Sequence, residues 1–82
     1  MKITIYSTAA CAACHALTGW LDKQGLSYVR KITDEDPAVM AEFMQLNEGM
    51  IGVPFTIIET DDGTQVKLSG FDQTKFKEAL GV

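Results

Sequence analysis

Cys11 and Cys14 enclose Ala12 and Ala13 in a Cys-x-x-Cys motif, the part of the sequence that carries chemistry most directly. The motif falls where a run of strand formers, Lys2 to Tyr6, gives way through Ser7-Thr8-Ala9-Ala10 to a helix-favouring stretch from Ala12 to Gln24. Cys11 is therefore expected at or just before a helix N-terminus, where unpaired backbone N–H groups and the helix dipole favour an anion. In such a place a thiol pKa falls from ~8.5 into the range ~3.5–7.5. The thiolate is the nucleophile, so position alone makes Cys11 reactive. Cys14 lies one turn further in, on the core side, and is better hidden. That division lets Cys11 attack a disulfide and Cys14 resolve the mixed disulfide, leaving a bond between the two cysteines.

The same residues admit other chemistry. A buried structural cysteine pair is the plainest alternative, although its place between strand and helix speaks against it. Zinc usually takes four ligands, and the sequence holds two cysteines and one histidine. Cys11-Ala12-Ala13-Cys14-His15 also spells the c-type haem attachment pattern Cys-x-x-Cys-His. Haem attachment normally needs an exported chain, and the N-terminal residues show no export signal. With no run of ~20 apolar residues either, the sequence reads as cytoplasmic, not membrane-bound. A reducing compartment makes a structural disulfide uncommon and favours a redox role.

Several elements must position this pair. Cys14, Leu17 and Leu21 share one helix face, and Gly25 is a natural stop. Ser27 to Ile32 reads as a second strand, with Tyr28 and Ile32 at period-two positions. Asp36 and Pro37 supply an N-cap and a first helical residue. Val39, Met40, Phe43, Met44 and Leu46 then carry an amphipathic helix to about Asn47, and core packing is expected of its methionines. Phe55 to Glu59 is the strongest strand, Asp61-Asp62-Gly63-Thr64 a turn, and Gln65 to Leu68 the returning hairpin arm. Asp72 caps a last helix that runs through Phe76 and Leu80 to Gly81. The order strand, helix, strand, helix, strand, strand, helix describes an α/β chain. It begins with a right-handed parallel βαβ unit and ends in a hairpin with a helix, giving a four-stranded mixed sheet with three helices.

With 82 residues the chain has room for one domain, spanning residues 1–82. A hydrophobic content of 46% and a charged content of 22% suit a globular domain. The net charge of -4 argues against nucleic acid and anionic membranes as partners and slightly disfavours anionic ones such as glutathione.

Taken together, Ile3-Thr4-Ile5-Tyr6, the Cys11–Cys14 motif, Leu21-Asp22-Lys23-Gln24-Gly25-Leu26-Ser27-Tyr28, Val53-Pro54 and Ser69-Gly70-Phe71 resemble the glutaredoxin family. Within it, the glutaredoxin-like NrdH-type redoxins, hydrogen donors to class Ib ribonucleotide reductase, are most similar. The resemblance implies a thioredoxin-like fold and a monomeric thiol–disulfide oxidoreductase with no tightly bound cofactor. It implies thioredoxin reductase or glutathione as reductant, and ribonucleotide reductase or other disulfide-bearing proteins as substrate. It also implies that Cys11 and Cys14 are catalytic and that Thr8, Ala12, Ala13, Val53, Pro54, Gly70, Phe71 and Asp72 bind substrate. Read from the residues alone, Pro54 could equally open an edge strand in trans; the family resemblance implies a cis Val53–Pro54 bond. Phe71 suits either the core or a ligand platform, and the helix start after Asp72 offers N–H groups to a carboxylate.

The departures from the family bear on the reductant. Dithiol glutaredoxins usually carry Pro-Tyr between the cysteines, and NrdH-type redoxins often carry Val-Gln; here the pair is Ala12-Ala13. Thr8 stands where glutaredoxins often place a basic residue for the glutathione carboxylate, which favours thioredoxin reductase. Gly70-Phe71-Asp72 leans instead toward the glutathione loop. A glutathione-dependent glutaredoxin is thus the neighbouring reading, and a non-catalytic iron–sulfur cluster carrier is the alternative from another class. Trp20, off the Leu17/Leu21 line, is expected in the core more readily than in a docking patch.

Overall fold

The computed structural model describes residues 1–50 and 52–82. Its elements follow the expected order: β1 (Lys2–Ser7), α1 (Ala12–Lys23), β2 (Val29–Ile32), α2 (Pro37–Leu46), β3 (Phe55–Glu59), β4 (Gln65–Ser69) and α3 (Gln73–Leu80). The strands form one sheet in the order β2-β1-β3-β4. β1 runs parallel to β2 and antiparallel to β3, and β3 runs antiparallel to β4.

Strand alternation sorts the side chains onto two faces. Ile3, Ile5 and Ile58 pack with Leu17 and Leu21 of α1 and with Phe76 and Leu80 of α3, so these two helices cover one face. Tyr6 and Phe55 pack with Phe43 of α2 on the other. Tyr6, Phe43 and Phe55 form an aromatic triad with ring centroids 5.6–6.1 Å apart. Lys31 Nζ of β2 donates to both carboxylate oxygens of Glu42 in α2, at 3.0 and 2.9 Å, and fastens that helix to the parallel half of the sheet.

Two local expectations change. The methionines of α2 are not core residues: Met40 is 38% and Met44 64% exposed. Val39, Phe43 and Leu46 lie about one helical turn apart and meet the sheet, while Met40 and Met44 are rotated ~100° away from that stripe. The second strand starts at Val29 and not at Ser27, and Tyr28 packs against the core from outside it. β2 is an edge strand, and its parallel register begins only where Val29 meets Thr4.

Burial pushes the Tyr6 hydroxyl pKa from 10.0 up to about 12, and the nearby Glu42 carboxylate pushes it the same way. A raised native pKa means that the unfolded chain releases this proton first, so stability is intact below pH 10 and declines as pH climbs toward 12. Tyr6→Phe should flatten that alkaline decline in urea melts between pH 9 and 12 relative to pH 8. A decline of the same slope in the variant would remove Tyr6 as its source.

Candidate functional site

Cys11 is the N-cap of α1, with extended backbone angles (φ −93, ψ 109), and its Sγ accepts the Cys14 N–H at 3.1 Å. That contact places a sulfur where a capping oxygen normally sits, aimed at the free N–H groups of the first turn. The first turn of α1 contains no acidic side chain to oppose a thiolate there. Cys11 and Cys14 are joined in a disulfide, with Cα atoms 5.2 Å apart. Their exposures differ: Cys11 is half-buried, whereas Cys14 is fully buried on the face that carries Leu17 and Leu21. An incoming sulfur therefore meets Cys11. His15 is exposed and donates its backbone N–H to the Cys11 carbonyl at 3.2 Å.

Sheet register brings two more segments to the same end. Tyr6 pairs with Phe55, so the residue before Phe55 lies beside the exit of β1. That residue is Pro54, buried, and the Val53–Pro54 bond is cis. Phe55 pairs in turn with Ser69, which sets Gly70 at this end as well. Gly70, at φ +76, donates its N–H to the Pro54 carbonyl at 2.7 Å and ties the two loops together. Thr8, Ala12 and Ala13 border the disulfide along the chain, with both alanines exposed.

The remaining two predicted binding residues have more structural work than the sequence suggests. Phe71 is half-buried and packs on Trp20 and Phe76, with centroids 5.9 and 5.7 Å away. Trp20 is held in this aromatic cluster, as expected of a core residue. Asp72 is the N-cap of α3, and its carboxylate accepts the Thr74 and Lys75 N–H groups at 3.1 and 3.3 Å. Those two N–H groups are engaged by the protein itself before any ligand arrives.

Two residues that position the site escaped the sequence. Arg30 of β2 pairs with Ile5 in the parallel register, which carries its guanidinium under the loop leading to Cys11. Its Nε donates to the buried Ser7 Oγ at 2.9 Å and its Nη2 to the Thr8 carbonyl at 3.4 Å. Asp34 accepts the Ala9 N–H at 3.2 Å. Buried Thr33 also donates its N–H to the Ser7 carbonyl at 2.8 Å. The loop before Cys11 is thus clamped from β2 and the turn after it. A charged residue in a half-exposed strand carries no signal of such a role; only the register of two strands distant in sequence reveals it.

A cavity of about 160 Å³ lies over the α2 face, lined by residues including Tyr6, Lys31 and Glu42, and contains neither cysteine. Among the described residues no group of three or more His, Cys, Asp or Glu side chains could hold a metal ion, and no helix is long and apolar enough to cross a membrane.

A mixed four-stranded sheet with helices on both faces, and a Cys-x-x-Cys disulfide at a helix N-terminus, define a thioredoxin-like thiol–disulfide oxidoreductase. Residues 3–63 match the glutaredoxin family, and the chain belongs to it. No curated protein sequence gives a significant match. Among solved structures, the glutaredoxin-like protein NrdH-redoxin from Escherichia coli is 27% identical, covers 95% of this chain and 93% of its own, and superposes with a TM-score of 0.74. The glutaredoxin from Archaeoglobus fulgidus is 17% identical over 96% of this chain and 85% of its own, with a TM-score of 0.76. Buckwheat glutaredoxin, solved as a glutathione complex, is 23% identical over 96% of this chain and 69% of its own, with a TM-score of 0.68.

Proposed function

We propose that the protein is a dithiol redoxin of the NrdH kind, a monomeric cytoplasmic carrier that passes electrons from a thioredoxin-reductase-type enzyme to protein disulfides, ribonucleotide reductase first among them. The observation that carries this reading is the asymmetry of the pair, with Cys11 capping α1 within reach of a partner and Cys14 buried behind it. In the reduced protein the Cys11 thiolate, stabilised by the helix N-terminus, attacks one sulfur of the substrate disulfide. The substrate S–S bond breaks, a mixed disulfide forms, and the other substrate sulfur leaves as a thiolate that takes up a proton. Cys14, deprotonated, then attacks Cys11 Sγ. The intramolecular disulfide forms, the second substrate thiolate departs, and two electrons have moved to the substrate. Val53, with the cis Pro54 behind it, and Gly70 border the place where a substrate backbone would lie in extended form.

Two features support a flavoenzyme reductant over glutathione. Thr8 supplies no cation for a glutathione carboxylate, and the Thr74 and Lys75 N–H groups are occupied by Asp72. The likeness to buckwheat glutaredoxin and the Gly70-Phe71-Asp72 loop keep glutathione as the second reading. An insulin-disulfide reduction assay separates them, run once with NADPH and thioredoxin reductase and once with glutathione, glutathione reductase and NADPH. Turnover confined to the first arm is expected. Turnover confined to the second makes the protein a glutathione-dependent glutaredoxin, and turnover in neither overturns both readings.

A further inference from the structure

Among the described residues, Thr56 Oγ1 is a buried side-chain oxygen without a hydrogen-bond partner. Thr56 itself is fully buried. A hydroxyl in that position sacrifices its bonds to water and gains none in return, a net cost to the folded state. Such a group calls for an explanation, and its place in the sheet supplies one.

Thr56 lies between Phe55 and Ile57, whose side chains belong to the α2 face, so its own side chain points to the face covered by α1. There it stands opposite Ile5 of β1, which packs in one cluster with Leu17. Leu17 is one turn along α1 from Cys14 on the same buried face. Thr56 is also two residues beyond Pro54, at the end of the sheet where the cysteines sit. Its opposite neighbour on β4 is Leu68, and Ser7 Oγ nearby already accepts a bond from Arg30. Its partners across the two neighbouring strands, Ile5 and Leu68, are both apolar, and buried Cys14 and Leu17 belong to the α1 face that packs over this side of the sheet.

We propose that the Thr56 hydroxyl is the hydrogen-bond donor that receives the Cys14 sulfur when the disulfide opens. A disulfide sulfur is a poor acceptor, whereas a thiolate is a strong one. The hydroxyl is therefore orphaned in the oxidised protein and satisfied in the reduced one, and this difference draws the equilibrium toward the dithiol. It also steadies the Cys14 thiolate that must attack Cys11. The inference deepens the redox reading of this site and rests on it.

Equilibration with glutathione tests it. Two glutathione thiols give two electrons and two protons to the Cys11–Cys14 bond, yielding two protein thiols and glutathione disulfide. Thr56→Val keeps the shape and removes the hydroxyl. It should lower the equilibrium constant for protein reduction about tenfold, which is about 30 mV for a two-electron couple. Thr56→Ser keeps the hydroxyl and should stay within about twofold of the unaltered protein. An unchanged constant in Thr56→Val overturns the proposal, and so does an equal shift in both variants, which would trace to packing. In the unaltered protein, exchange of the Thr56 hydroxyl proton, followed by NMR, should slow on reduction. Equal exchange in the two redox states overturns the proposal even if neither variant folds. The equilibrium requires only that the two cysteines interconvert. A protein inactive in both insulin arms but showing the Thr56 shift would therefore refute the function and leave this inference standing.

Discussion

Cys11→Ser is expected to reduce insulin-disulfide turnover by at least about a thousandfold, to the uncatalysed background, while the protein still folds. The loss is chemical: a serine hydroxyl does not ionise near neutral pH, and only the ionised sulfur attacks a disulfide efficiently. The fold should survive because the position is an N-cap, where Sγ accepts the Cys14 N–H. Serine is among the preferred N-cap residues, so its Oγ can accept the same bond. Circular dichroism and thermal melts against the reduced unaltered protein check the second half of this expectation. Turnover near that of the unaltered protein would remove Cys11 as the nucleophile. Comparison with the reduced form matters, because the oxidised form carries a cross-link that the variant cannot make.

Cys14→Ser is expected to halt the reaction one step later. Cys11 remains half-buried at the cap and still attacks, but no sulfur stands behind it to release the product. A covalent adduct with a protein substrate should accumulate in about one-to-one ratio, visible by mass spectrometry and dissolved by added dithiothreitol. Multiple turnover on protein disulfides at the unaltered rate would show that a single thiol suffices. The variant should also lose stability, by roughly 1–3 kcal/mol, because a hydroxyl replaces sulfur in a fully buried position.

The two cysteine variants separate attack from resolution because the structure gives the two sulfurs different exposures. Helix geometry is the reason. Cys11 ends the loop before α1, and Cys14 sits one turn inside on the stripe that Leu17 and Leu21 continue. The Arg30 and Asp34 contacts hold the loop on the outer side of the pair, so the exposed sulfur is presented from a fixed frame.

Much of this was legible in the residues because it depends on short-range physics. The N-caps at Cys11, Asp36 and Asp72, the stop at Gly25 and the buried stripe of α1 follow from neighbours within one turn of helix, and each stands where the spacing predicts. The strand of Phe55 to Glu59 is equally local, being a run of β-branched and aromatic residues between turns. Local pattern was weaker where the chain offered two apolar stripes. In α2 the sequence presents Val39, Phe43 and Leu46 beside Met40 and Met44, and only the sheet's position selects which stripe is buried.

The sequence by itself determined the reactive pair, the helix that activates it and the order of elements that form the fold, since all three arise from contacts between near neighbours. Tertiary structure decided what surrounds the pair. The cis Val53–Pro54 bond and Gly70 reach the disulfide end through the register of β3 with β1 and β4. Arg30 reaches it through the parallel pairing of β2, and Thr56 faces α1 because of strand parity on β3. Register and parity are set by burying the two sheet faces against different helices, a condition on the whole chain that no single segment expresses.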